Sequence, residues 1–85
     1  MTALRPLGLP QPLLVETDAS GAPAWIVWRG QRVAVAAVAD RWRIDDDWWR
    51  QPVSRLYYAL QLADGQLLVV FADLATGGWQ QQRYA

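Results

Sequence analysis

The chain has 85 residues, 53% of them hydrophobic, with eight cations against eight carboxylates, no His and no Cys. That is the size of one domain, and a domain this small buries only roughly 60% of its unfolded surface. The missing Cys excludes disulfides and thiolate metal centres, the missing His removes the commonest general base and metal ligand, and zero net charge gives no global field to draw in nucleic acid.

Residues 1–12 carry Pro6, Gly8, Pro10 and Pro12. Proline at that spacing forbids a helix or a central strand, so this segment reads as an extended arm ahead of a single β domain over 13–85. Residues 13–17 read as a short strand. Asp18 to Gly21 is turn chemistry, since Asp and Ser bond nearby backbone and Gly accepts a positive φ. Residues 23–28 (Pro-Ala-Trp-Ile-Val-Trp) read as a second strand, and Arg29-Gly30-Gln31 as a tight connection.

Arg32 to Ile44 is expected to be a third strand. Its first half is small on both faces, which points to close packing or to a bend where the sheet curls. The Ala-rich part also suits a helix, but Val recurs every second position and no N-cap precedes it. Asp45-Asp46-Asp47 favours a cap or turn over a strand interior. One helical turn is therefore expected at residues 46–50, stopped by Pro52. Strands are expected over 53–63 and 66–73, joined at Asp64-Gly65. Residues 76–78 turn the chain into a last strand over 79–84, with Tyr84 placed to pair with the strand of Tyr57-Tyr58 and close a barrel. About six short antiparallel strands in a meander point to an all-β, SH3-like partial barrel.

Residues 40–58 concentrate the chemistry. Three of the six Trp, two of the three Tyr, four of the eight Arg and four of the eight acids lie there. The candidate binding residues are Trp42, Arg43, Trp48, Trp49, Arg50, Arg55 and Tyr58. Trp, Tyr and Arg dominate interface hot spots. The same mixture of Arg and aromatic rings also forms single-strand nucleic-acid platforms. The bland alternatives are a Trp-filled core and a ladder of Arg–Asp pairs with Arg stacked on Trp. Three adjacent Asp do not follow a calcium-loop spacing, and no metal site or cofactor is expected. Ser20 and Ser54 lack a His or Lys base, and Gly77-Gly78 opens no helix, so no catalytic group is assigned.

Asp40-Arg41-Trp42-Arg43-Ile44-Asp45-Asp46, Trp48-Trp49-Arg50 and Pro52-Val53-Ser54-Arg55-Leu56-Tyr57-Tyr58 resemble the small domain that ends the inactive Y-family polymerase homologue of the bacterial mutasome (ImuB-like). Phe71 to Trp79, Gln82-Arg83-Tyr84 and the lead-in Arg5-Pro6-Leu7 are similar to it as well, as are free-standing small proteins of unknown function. Asp47 stands where that family has Glu, which keeps the charge. With no signal peptide and no long apolar run in the sequence, a cytoplasmic, non-membrane place is the default expectation, and the resemblance implies an accessory domain of error-prone translesion DNA synthesis. It would dock a protein partner of a DNA-repair assembly through the aromatic and Arg cluster. Single-stranded or primer–template DNA binding and a strand-edge homodimer are the alternatives.

Overall fold

The computed structural model of the chain describes residues 10–48 and 51–82. Seven strands appear in chain order: β1 (Gln11–Pro12), β2 (Leu14–Thr17), β3 (Pro23–Trp28), β4 (Gln31–Trp48), β5 (Gln51–Leu62), β6 (Leu67–Asp73) and β7 (Trp79–Gln82). All pairings are antiparallel, in the order β1-β7-β6-β5-β4-β3-β2. From β2 to β7 this is a meander, as expected for connections too short to cross over. Each connection uses the turn residues on its own stretch. Between β3 and β4, Arg29 (φ 52°) and Gly30 (φ 78°) are both left-handed, the requirement of the tight hairpin turn that matches strand twist.

The two ends of the meander are joined through one segment. β1 pairs with β7 and β2 pairs with β3, with only Leu13 between them. Leu13 N–H donates to the Trp79 carbonyl at 3.0 Å. Residues 11–17 thus act as one kinked strand that bridges both edges of the curled sheet into a partial barrel. The Pro-rich arm accordingly contributes an edge strand at its C-terminal end, where Pro12 is tolerated because an edge strand leaves one side unbonded. Closure is not made by the last strand on the strand of Tyr57-Tyr58. β6 separates β5 from β7, and Tyr84 lies outside the described residues.

The Ala-rich stretch is strand and is where the sheet bends. The β4–β5 register slips between Val35 and Ala37 and again between Val38 and Asp40, leaving Ala36 and Ala39 as extra residues. Two bulges so close together bend a strand and increase its twist, and Ala offers no bulk against that bend. Before the bulges β4 pairs with β3, and from Val35 onward with β5.

The expected helical turn at 46–50 is corrected by the pairing. Asp45, Asp46, Asp47 and Trp48 continue β4, in register with Ser54, Val53, Pro52 and Gln51. Cross-strand partners outweigh the local preference of Asp for turns. Trp49 and Arg50 lie outside the described residues.

The core lies on one face of the sheet. Ile26, Tyr58, Leu60, Leu62, Leu68 and Val70 form it, with Leu13, Val15, Trp28, Val35, Leu56 and Trp79 packed around. Alternate residues of β5 and β6 (Leu60, Leu62, Leu68, Val70) supply the inward side chains, as the period of two demands.

The β2–β3 turn is held by one carboxylate. Asp18 accepts from the Ser20 hydroxyl (2.6 Å), the Ser20 N–H (2.8 Å) and the Ala22 N–H (3.1 Å). These donors, the Ser20 hydroxyl first, hold its pKa below the ordinary 3.8. A carboxylate with a depressed folded-state pKa stabilises fully above its unfolded value and stops doing so as pH falls through the folded value. Asp18→Ala is expected to melt below wild type at neutral pH, with the gap closing as pH falls below 3.8. Parallel thermal melts of the two proteins down a pH series check this. A gap that stays constant would mean that the charge on Asp18 does not hold the turn.

Candidate functional site

Beyond Arg55 and its partner Asp73, β6 ends and β4–β5 continues as a two-stranded ribbon. Most of the sequence cluster sits on this ribbon and its base, divided between two faces by strand alternation. Trp42, Arg55, Tyr57 and Phe71 share the face opposite the core. Arg43, Asp45, Ser54 and Tyr58 share the core side.

On the outer face three rings form a ladder across three strands. Trp42 stacks on Tyr57 with ring centroids 5.3 Å apart and planes 5° from parallel. Tyr57 packs against Phe71 at 4.9 Å. These are direct register partners, Trp42 with Tyr57 and Tyr57 with Phe71, so sheet geometry itself places the rings in contact. Arg55 lies over Phe71, its guanidinium carbon 4.6 Å from the ring centroid, and donates to the Tyr57 hydroxyl at 3.3 Å. Arg55 Nε is buried and has no hydrogen-bond partner. Tyr57 and Phe71 are buried, Trp42 and Arg55 half-buried. The ladder therefore grades from a sealed inner ring at Phe71 to an accessible outer ring at Trp42. Ile44, 41% exposed, extends it as an apolar neighbour further along β4.

On the core side of the ribbon Arg43 and Asp45 are paired. Arg43 donates from Nε and Nη2 to the two oxygens of Asp45, at 2.7 and 3.2 Å, and from Nη2 to Ser54 Oγ at 3.3 Å. Ser54 Oγ in turn donates to Asp45 Oδ1 at 2.7 Å. The hydrogen bond from Arg43, then that from Ser54, holds the Asp45 carboxyl below its ordinary value, and the same bond raises Arg43 above its own. Asp46 falls on the opposite face, so adjacent acids do not converge. No group of three or more metal-ligating side chains gathers among the described residues.

Of the sequence-derived candidates, Trp42 and Arg55 come together in the ladder. Arg43 stands on the other face as half of an ion pair. Tyr58 is core: it is 4% exposed, with its ring 5.7 Å from Trp79. Its neighbour Tyr57 takes the place in the ladder. Trp48 contributes its backbone to β4 opposite Gln51, and Trp49 and Arg50 lie outside the described residues. Phe71, separated from Trp42 by nearly thirty positions, carries no sequence signal that links it to the cluster.

A second pairing of Arg with aromatic sits on β2–β4. Arg32 lies 3.9 Å from the Trp25 ring centroid and donates through Nε to Glu16 at 2.7 Å. Trp25 is 37% exposed. Two shallow grooves, about 430 and 360 Å³, meet at Trp28, Arg29 and Gln81. There the buried Trp28 Nε1 has no acceptor.

The family model described as "Domain of unknown function (DUF6504)" matches residues 9–84. No curated protein and no solved structure matches the chain. Among the described residues no helix is long and apolar enough to cross a membrane.

Proposed function

The chain belongs to the DUF6504 family, and we propose that it is a non-catalytic docking module that holds a protein partner against the outer-face ring ladder, with Trp42 as the anchor and Arg55 and Ile44 beside it. One observation carries this reading. Of the described cations of the ribbon and its base, Arg43 is engaged by Asp45 and Ser54 and Arg55 by Phe71 and Tyr57, which leaves only the exposed Arg41 among them. A groove that follows phosphates needs free guanidinium groups along it. An apolar ring step with a half-buried Trp at its open end and neutralised charge around it suits a protein surface instead. The setting of error-prone translesion synthesis rests on the resemblance of residues 40–58 and 71–84 to the terminal domain of the mutasome polymerase homologue. It names the first partners to try.

The test is a binding titration against the polymerase and recombinase-like members of that assembly, with wild type and Trp42→Ala. Loss of a buried Trp anchor at an interface costs about 2 kcal/mol or more, roughly thirtyfold in affinity. Equal binding by Trp42→Ala would sink the proposal. A parallel titration with labelled single-stranded DNA separates the other reading, because phosphate contacts make affinity fall steeply with salt. Tight, salt-sensitive DNA binding would replace the docking module with a nucleic-acid module.

A further inference from the structure

We propose that the free edge of β4 pairs two copies of this chain into an antiparallel dimer whose two-fold axis passes through Ile44. β3 follows β4 only as far as Ala34, and β4 touches only β3 and β5 among the described elements. From Val35 onward, then, one edge of β4 is bonded to β5, and no described element covers the other. The bulges at Ala36 and Ala39 interrupt its first part. What remains is a regular run from Asp40 to Trp48, in which alternate residues direct N–H and C=O groups away from β5. Arg41, Arg43, Ile44, Asp45 and Asp46 along this run are exposed.

Sheet proteins place charges on bare edges to discourage pairing. Here the charges are ordered rather than merely present. Arg41, Arg43 and Asp45 occupy alternate positions of one parity, opposite Tyr58, Leu56 and Ser54. They read plus, plus, minus, with Ile44 between Arg43 and Asp45. Antiparallel pairing about Ile44 sets Arg43 opposite the partner's Asp45, where each can exchange the bond that it makes within its own chain for one across the axis, and the reverse pair follows by symmetry. On the other parity Ile44 meets the partner's Ile44, which covers an exposed apolar side chain. Moving the axis by one residue sets Arg43 against the partner's Arg43, or Asp45 against the partner's Asp45. Like charges directly opposite are unfavourable, so one register is selected. A half-residue shift would oppose residues from different faces and break the continuous sheet. The dimer shares Ile44 with the docking reading above but is carried by the β4 edge, so its test needs no docking partner.

An interface of one strand pair is smaller than the standard protein–protein interface of about 1,600 Å², so the dimer is expected at micromolar to submillimolar concentration. The experiment is sedimentation equilibrium of the whole chain up to about 500 μM, a range suited to so small an interface. Two charge-reversed chains are measured beside wild type: Arg43→Asp, with acids only at positions 43 and 45, and Asp45→Arg, with Arg only. Wild type is expected to dimerise, each variant alone to dimerise at least tenfold more weakly, and the equimolar mixture to recover a one-to-one heterodimer. A wild type that stays monomeric throughout, or variants that self-associate as wild type does, overturns the proposal. Amide exchange of wild type decides the matter even where a variant fails to fold. Protection of the 41–46 amides must rise with protein concentration, and an unchanged pattern means that the β4 edge is not paired.

Discussion

Phe71→Ala is expected to destabilise this domain by about 3–5 kcal/mol, the range for truncating a buried Phe. Phe71 is fully buried yet does not belong to the main core cluster. It is held on the opposite face between Tyr57 and the Arg55 guanidinium. Removing the ring opens a cavity beneath Tyr57 and strips Arg55 of its aromatic partner, when Arg55 Nε already lacks a hydrogen bond. Small domains have about 5–15 kcal/mol in total and sit near the low end. At about 4–8 °C per kcal/mol, the melting midpoint should drop by at least about 12 °C. Trp42→Ala removes only the outer, half-buried ring and a stacking contact of about 0.5–1.5 kcal/mol. It should remain folded, which is why it serves as the binding probe. Thermal melts of the two variants test the gradient along the ladder. Near-equal losses would mean that the outer face is not packed in the order Phe71, Tyr57, Trp42.

Leu60→Ala should cost about 2–5 kcal/mol, and Leu67→Ala less than about 0.5 kcal/mol. The two residues stand on neighbouring strands close to one hairpin, and both are Leu among apolar neighbours. Leu60 is fully buried at the centre of the core, and Leu67 is 76% exposed at the start of β6. Burial of a Leu side chain is worth about 1.5–3 kcal/mol in transfer alone, and the residual cavity adds to it at Leu60. Urea denaturation of both variants, read at a common m-value, measures the difference. Similar losses would overturn the face assignment on which the outer ladder also depends, since Leu67 shares its parity with Phe71.

How much of this was legible beforehand differs from element to element. Strand type and turn position came from short-range chemistry. A positive φ must fall on a residue that tolerates it, so Gly30 and Gly65 mark the hairpins. Asp18 with Ser20 closes its own turn through contacts within four residues. The bend in β4 was visible as a run without bulk. In the candidate site, the concentration of Trp and Arg in residues 40–58 was legible, and Trp42 and Arg55 do meet in the ladder. Tyr58 was singled out in place of Tyr57 because a period of two says that neighbours point apart, not which of them points inward.

The sequence by itself determined an all-β chain of short antiparallel strands, because φ, side-chain branching and turn hydrogen bonds are local properties. Tertiary structure alone decided the rest. The Asp run stays in a strand because Arg43 and Ser54 engage Asp45 and β5 pairs across from it. Residues 11–17 bridge both sheet edges because their two partners, β3 and β7, meet only after the meander has curled. Phe71 joins Trp42 through Tyr57 because register brings three distant positions onto one line. Each of these depends on residues far apart in the chain, whose contacts exist only once the sheet is assembled.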